Sequence, residues 1–363
     1  MIKTGSQILV DALIREGAEY VFGIPGGAVL PLFDALFDSS IKFILTRHEQ
    51  GAGHAADGYA RATGKVGVCL VTSGPGATNL TTAIATAYMD SIPIVAITGQ
   101  VKTFLIGNDA FQEADIIGIT RPITKHSYLV KDIKDLARIV KEAFFIANTG
   151  RRGPVLIDLP VDVTMEKCEE VIPTVVDLPG YKPRYEGNIR QIMIAAEAIN
   201  SSRQPVVYTG GGIITSECSK DLLEFAEKGN LPVTTTLMGL GGFPEDHHLS
   251  LGMLGMHGTA YANFAVTESD VLVAIGARFD DRITGKIDEF APHAKIIHVD
   301  IDPASISKSI RVDIPVVGDA KNILQELNKH IHFDERKEWF DKIKHWKEKN
   351  PLSYNNSGNV IKP

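Results

Sequence analysis

The sequence predicts an α/β protein made of two doubly wound parallel-sheet domains, and three observations carry that prediction. Short apolar runs alternate with helical patterns along the 363 residues. Glycine-rich turns follow those runs at Pro25-Gly26-Gly27, Ser73-Gly74-Pro75-Gly76, Gly210-Gly211-Gly212 and Gly276-Ala277-Arg278. A charged and then proline-punctuated stretch, 166–187, separates two such series with no periodicity of its own. The expected layout is a first domain over 1–165, a linker over 166–187, a second domain over 188–332 and a helix with a connector tail over 333–363.

In the first domain, residues 4–17 read as a helix with Ile8, Leu9, Ala12 and Leu13 on one face and Gly17 as its stop. Strands are expected over 20–24, 43–45, 66–72, 94–98 and 154–159, with helices after the first three. Alternation of this kind gives a parallel sheet covered on both sides. The loops after three of these strands, at Pro25–Gly27, Arg47–Gln50 and Ser73–Gly76, should crowd one sheet edge. By itself each glycine turn is first of all a tight turn.

The second domain repeats the scheme. Helices are expected over 191–200 and 222–229, and strands over 205–208, 233–237, 271–275 and 296–300. Its triple glycine departs from the GxGxxG fingerprint, because position 215 is Thr. A glycine loop after a strand still suits a phosphate-bearing ligand at a helix start. Arg278 and Arg282 either pair with such a phosphate or neutralise the adjacent Asp280 and Asp281. Farther on, Trp339, Phe340, Ile343 and Trp346 recur at helical spacing, as a docking helix would have them.

Composition excludes several classes. A net charge of −7 without a Lys/Arg stripe does not make a nucleic-acid surface. No apolar run approaches the roughly 20 residues of a membrane span, and the first residues form an amphipathic helix, not a signal peptide. The three cysteines, Cys69, Cys168 and Cys218, have no metal or CxxC spacing, which suits a cytoplasmic protein. No metal ligands are expected in the chain; His257 has no partner at ligand spacing.

The stretch Phe43–Arg61 carries the first functional expectation. Glu49 follows a strand and precedes a helix whose Ala52, Ala55, Ala56 and Ala60 suit close packing. In open α/β sheets that edge is where ligands bind. Taken alone, the carboxylate is first of all one favoured by a helix N-terminus.

The segments VFGIPGGAVLPLFDAL, RHEQGAGHAADGYARATG, VTSGPGATNLTTAIATAYMDSIPIVAITGQV, DAFQEAD, GPVLIDLPVDV, LGMLGMHGTAYAN, GARFDDR and HVDIDP together resemble the acetolactate synthase (acetohydroxyacid synthase) large catalytic subunit family across essentially the whole chain. The first three mark thiamine-diphosphate carboligases and decarboxylases in general; GMHG with GARFDDR narrows the resemblance to members carrying FAD. It implies a pyrimidine-binding first domain and a central, Rossmann-like FAD-binding domain.

By that resemblance Glu49 faces N1′ of the thiamine pyrimidine. There it stabilises the imino form that takes the C2 proton, as general acid–base catalysis through the cofactor; burial would raise its pKa. Gly27 lies near the reaction centre and Gln112 within reach of the thiamine, with His48 and Phe111 farther out. Pyruvate is decarboxylated, and the acetaldehyde unit passes to pyruvate or 2-oxobutanoate, giving 2-acetolactate or 2-aceto-2-hydroxybutyrate for branched-chain amino-acid synthesis. FAD, without net redox work, would contact Arg151, Gly210, Gly211, Gly212, Thr236, Leu237, Leu254, Gly255, Met256, His257, Gly276, Ala277, Arg278, Asp280, Arg282, Asp300, Ile301, Asp319 and Ala320. A homodimer or tetramer is implied, with a regulatory small subunit as a further partner.

Two departures stand out. Lys102 occupies a position where the family often has proline. The family also holds its diphosphate through Mg²⁺ on a GDG motif followed by paired asparagines. Here Gly318-Asp319 is followed by Ala320, and Asn355-Asn356 has no GDG upstream. The expectation is a sequence truncated before its third, Mg²⁺-binding domain and inactive alone. The alternatives are a related carboligase or acetyltransferase, such as sulfoacetaldehyde acetyltransferase or glyoxylate carboligase, or a non-catalytic FAD-binding fragment. Glyoxylate carboligase is disfavoured because it lacks the acid found here as Glu49.

Overall fold

In a computed structural model, residues 2–353 and Gly358 are described. The chain forms two compact units, Met1–Lys182 and Pro183–Pro363. Each is an α/β unit around a six-stranded sheet whose neighbouring strands all run parallel.

The strands of the first unit are β1 (Ile2–Thr4), β2 (Tyr20–Gly23), β3 (Lys42–Leu45), β4 (Gly67–Val71), β5 (Ile94–Gln100), β6 (His126–Leu129), β7 (Val155–Pro160) and β8 (Lys167–Glu169). Its sheet runs β3-β2-β4-β5-β7-β6, and β1 pairs antiparallel with β8 apart from it. The central strands β4, β5 and β7 are buried along their whole length, as a sheet covered on both faces requires. Alternate residues then serve opposite faces. Val68, Leu70, Val95, Ile97 and Ile157 pack under the helices Gly5–Arg15 and Leu136–Asn148. Cys69, Val71, Ile94, Ala96 and Leu156 pack under Glu49–Thr63 and Thr81–Asp90. Those last two helices approach so closely that a Cβ on Gly53 would lie 2.5 Å from the Ala83 methyl. Thr4 caps the first helix through a capping box with Gln7.

The second unit holds β9 (Pro205–Thr209), β10 (Val233–Thr235), β11 (Ser250–Met253), β12 (Val271–Ile275), β13 (Lys295–Asp300) and β14 (Ile314–Val317), in the order β11-β10-β9-β12-β13-β14. One face packs under Ile189–Ser201, Ser219–Gly229 and Ala320–His330, the other under Ala260–Glu268 and Lys337–Lys349. The last of these docks by burying Trp339, whose indole N–H donates to Pro205 O at 3.1 Å. Just before it, the buried Arg336 guanidinium donates to Ile199 O (3.1 Å), Ser202 O (3.2 Å) and Gly229 O (2.6 Å). These carbonyls lie at two helix C-termini, where unpaired acceptors and negative partial charge collect. Burial lowers the guanidinium pKa from its ordinary value.

Five strands lie outside the sequence expectation: β1, β6, β8, β11 and β14. The helix expected to run unbroken to residue 89 is divided into Pro75–Thr78 and Thr81–Asp90. The stretch 166–187 contains β8 at its start. Asn355 and Asn356 lie outside the described residues. Among the described residues no helix is long and apolar enough to cross a membrane.

Candidate functional site

Both sheets have a point where the strand order turns back. In the first unit β3 lies to one side of β2 while β4 lies to the other. In the second, β10 and β12 flank β9 in the same way. Loops leaving the carboxyl ends on either side of such a point diverge and open a crevice.

The first crevice gathers the loops after β2, β3 and β4. Glu49 is the first residue of its helix, capped by His48, whose Nδ1 accepts from Gln50 N at 3.1 Å. The Glu49 carboxyl is half-buried, and its Oε2 accepts from Asn79 Nδ2 at 2.9 Å. The other oxygen, Oε1, has no hydrogen-bond partner among the described residues, and a Cβ on Gly76 would stand 3.4 Å from it. Thr72 lies between the glycine loops: a Cβ on Gly26 would come within 2.7 Å of its Oγ1. That hydroxyl is buried with no hydrogen-bond partner among the described residues. Gly74 has φ +56°, and a Cβ there would press 2.4 Å from the Gln112 carbonyl, so only glycine lets these segments meet. Gly27 is exposed and starts the turn Gly27–Val29, whose Val29 is buried, and Phe111 is 87% exposed. The structure thus brings Glu49, the Gln112 main chain and the turn holding Gly27 around the segment Thr72–Gly76. Sequence reasoning missed Thr72 and Asn79; their places at the end of β4 and on the following helical turn were the available signal.

Gln112 itself has φ +56°. Its loop is tied by carboxylates. Asp162 accepts from Thr103 N and Oγ1, the latter at 2.6 Å, and Glu113 accepts from Gly107 N and from Ala110 N at 2.9 Å. Asp158 on β7 accepts from Thr98 Oγ1 (2.7 Å) and Gln100 Nε2 (2.9 Å). Burial pushes the Asp158 carboxyl up to about 7, against the opposing pull of those two donors.

The second crevice gathers most of the expected FAD residues at the carboxyl ends of its strands. Gly210–Gly212 follow β9, and Gly276–Arg278 follow β12. The two loops touch main chain to main chain, with Gly212 N donating to Gly276 O at 3.0 Å. Gly276 has φ +57°, and a Cβ there would sit 2.6 Å from Gly212 Cα. Two buried side chains grip the second loop: Tyr208 OH donates to Arg278 O at 2.8 Å, and His298 Nε2 lies 2.9 Å from Ala277 O. Neither was expected from sequence. Thr236 caps the turn Leu237–Gly239 through Gly239 N at 3.0 Å, leaving Leu237 69% exposed.

Leu254 is buried; Gly255 and Met256 lie against the Arg282 segment, with Met256 N donating to Arg282 O at 2.9 Å, and His257 is exposed. Asp280 caps its own helical turn through Arg282 N. Asp300 accepts from Asp302 N, with Ile301 half-buried between them, and Asp319 caps the helix that starts at Ala320. Arg282 approaches Asp281 only to 3.9 Å with both exposed, and Arg278 forms no ion pair among the described residues. The neutralising account of these arginines is therefore weak, and two cations remain at the crevice mouth. Arg151 belongs to the first unit, where its Nε donates to Ser91 Oγ at 2.9 Å.

Two clefts, of about 590 and 550 Å³, lie elsewhere and contain none of these residues. The loops at the strand ends form open crevices, and the geometry of their polar groups is the better guide to ligands. Among the described residues no three His, Cys, Asp or Glu side chains are placed to hold a metal ion.

Comparison with known proteins bears on both crevices. Residues 3–119 match the N-terminal TPP-binding domain of thiamine pyrophosphate enzymes, and residues 192–327 match the central domain of the same enzymes. The chain is 56% identical to a probable acetolactate synthase large subunit of Methanocaldococcus jannaschii, over 93% of its own length and 58% of the relative's. It is 53% identical to the acetolactate synthase large subunit of Buchnera aphidicola subsp. Schizaphis graminum, over 100% of its length and 65% of the relative's. An acetolactate synthase of Mycobacterium bovis is 53% identical over 97% of the chain and 58% of the relative. The chain thus spans about three fifths of the length of the curated relatives it matches.

Proposed function

The chain belongs to the thiamine pyrophosphate enzymes, on the side of the acetolactate synthase large subunits, and from that premise we propose that it serves acetolactate synthesis. The reaction decarboxylates pyruvate and joins its two-carbon unit to a second 2-keto acid, pyruvate or 2-oxobutanoate. The observation that carries this reading is the first crevice. A carboxyl oxygen without a protein partner, a buried orphan hydroxyl and a glycine-lined cradle stand together at a sheet switch point. They fit the polar edge of an aminopyrimidine.

Bound thiamine diphosphate supplies the acidic carbon that adds to the keto acid and takes up the electrons of decarboxylation. This chain's own residues handle the proton. Glu49 holds it at N1′, with Asn79 fixing the carboxyl through Oε2 and leaving Oε1 for exchange. Thr72, whose buried hydroxyl has no partner among the described residues, would be free to meet the ring, and Gln112, whose main chain lies against Gly74, would stand within reach of it. In the second unit the Gly210–Gly212 amides, Arg278 and Arg282 fit the pyrophosphate of FAD, which serves a structural part. Mg²⁺ would neutralise the diphosphate charge, but no three His, Cys, Asp or Glu side chains among the described residues fit it, and no step is assigned to it. The working form is a homodimer or tetramer in the cytoplasm, with a regulatory small subunit as a further partner.

The test is Glu49→Gln in the full-length protein. Glutamine keeps the shape but has no proton to give, so hydrogen–deuterium exchange at thiamine C2 should slow by about 10²-fold or more. Exchange at the unmutated rate would leave Glu49 as a helix-terminal carboxylate and sink the assignment.

A further inference from the structure

Asp158 is a buried carboxylate to which the reaction described above gives no part. It is 2% exposed, lies on β7 and belongs to no ion pair among the described residues. Burying a carboxylate is costly unless its oxygens are hydrogen-bonded. Its two oxygens accept from Thr98 Oγ1 and from Gln100 Nε2, both on the neighbouring strand β5. The Gln100 amide is then fully committed. Its Nε2 also donates to Ala114 O at 3.0 Å, and its Oε1 accepts from Val101 N at 2.8 Å. The amide cannot turn over without losing all three bonds.

Ala114 stands two residues from Gln112. The Gln112 carbonyl lies against Gly74, in the same turn whose Gly76 faces Glu49. A continuous path of contacts therefore runs from a buried carboxylate, through one oriented amide, to the main chain of the loop at the first crevice. The start of that loop is tied separately, by Asp162 to Thr103. Its return is held at Ala114 O by Gln100. The exposed side chains of Phe104 and Phe111 add little anchorage between these points.

We propose that Asp158, acting through Gln100, is the positioning residue that holds the Gln112 loop against the Gly74 turn of the first crevice. Asp158 orients the amide, and the amide sets where the loop returns. The use of this strut in turnover rests on the function proposed above; the strut itself does not.

Two arms test it. The first is hydrogen exchange over residues 103–115 of the full chain without ligand. Gln100→Leu and Asp158→Leu should speed exchange there by about tenfold, the factor equivalent to one hydrogen bond, while β4 and β5 stay protected. Asp158→Asn should behave as the unmutated chain. Asparagine still accepts from Gln100, and its own amide can donate to the Thr98 hydroxyl. If Asp158→Leu does not fold, Gln100→Leu with Asp158→Asn decides the matter. Unchanged loop exchange in Gln100→Leu overturns the strut.

The second arm is steady-state turnover of pyruvate by the full-length protein. Gln100→Leu should lower kcat by about tenfold to 100-fold, with KM for pyruvate little changed and Asp158→Asn near normal. Faster loop exchange with unchanged kcat overturns the part played in the reaction. Unmutated protein that makes no acetolactate sinks the proposed function, while the exchange arm still decides the strut.

Discussion

The two crevices share one architecture and differ in polarity. Each opens where a parallel sheet reverses its strand order, and each is lined by glycine loops that touch main chain to main chain. The first converges on a carboxyl group, an orphan hydroxyl and a carboxamide: Glu49, Thr72 and Asn79. The second presents backbone amides and two exposed cations, Arg278 and Arg282. The first can move a proton; the second can hold an anion but has no comparable acid at its centre. Its carboxylates Asp280, Asp300 and Asp319 are occupied by local main-chain donors. The fold thus supplies the place twice, and the side chains decide the chemistry.

That contrast can be broken on either side. The largest effect after Glu49→Gln is expected for Gly276→Ala. It combines an unfavourable φ with a 2.6 Å contact to Gly212 Cα, and should cost about 3 kcal/mol or more. FAD titration of the variant, followed by flavin fluorescence, should show binding lost or severely weakened. Thiamine C2 exchange in the full-length protein should survive if the crevices act separately.

A second measurement separates the units by pH. Asp158 titrates at about 7 when folded and at 3.8 in its ordinary state. Between those values the native chain keeps a proton that the unfolded chain has released. This group's contribution to stability therefore falls as pH rises from about 4 to about 7, with a slope approaching about 1.4 kcal/mol per pH unit, and is flat above. Asp158→Asn removes the effect, so the difference between the two denaturation curves should show this slope. A difference independent of pH would mean that Asp158 is not buried in this way.

The smallest expected effect is that of Arg278→Ala. FAD affinity should be micromolar or tighter, about −8 kcal/mol, and should drop about tenfold on losing one exposed arginine. The loss should shrink at high salt. An affinity unchanged at low salt would return Arg278 to the solvated surface.

What the sequence disclosed follows from how locally each feature is encoded. Strands β4, β5, β7, β9 and β12 are buried apolar runs, legible without knowing their neighbours. The missed strands β6 (HSYL), β11 (SLGM) and β14 (IPVV) are short, polar or proline-bearing, and lie at sheet edges. They become strands through the partner they meet. The site divides in the same way. Glycine turns and the position of Glu49 show in the chain itself. Asn79 reaches Glu49 from 30 residues away, and Gln100 reaches Asp158 from 58. Pairings of that length are made only by folding. Tyr208 and His298 were hidden because an aromatic or histidine in a buried strand looks like core until its polar atom is seen to hold a loop.

Arg336 ties together parts of the chain that are far apart in sequence. Its guanidinium binds carbonyls 107 and 137 residues upstream, at the ends of two different helices. Releasing it would strand a buried cation and leave the helix-end acceptors unpaired, so separation of Lys337–Lys349 from the sheet is opposed from both sides. That helix is therefore expected to melt in one cooperative transition with the β9–β14 sheet, not to peel away first as peripheral helices often do. Its amides should exchange hydrogen at the global rate of the unit, and proteases should find no early cleavage point at the turn that Arg336 closes.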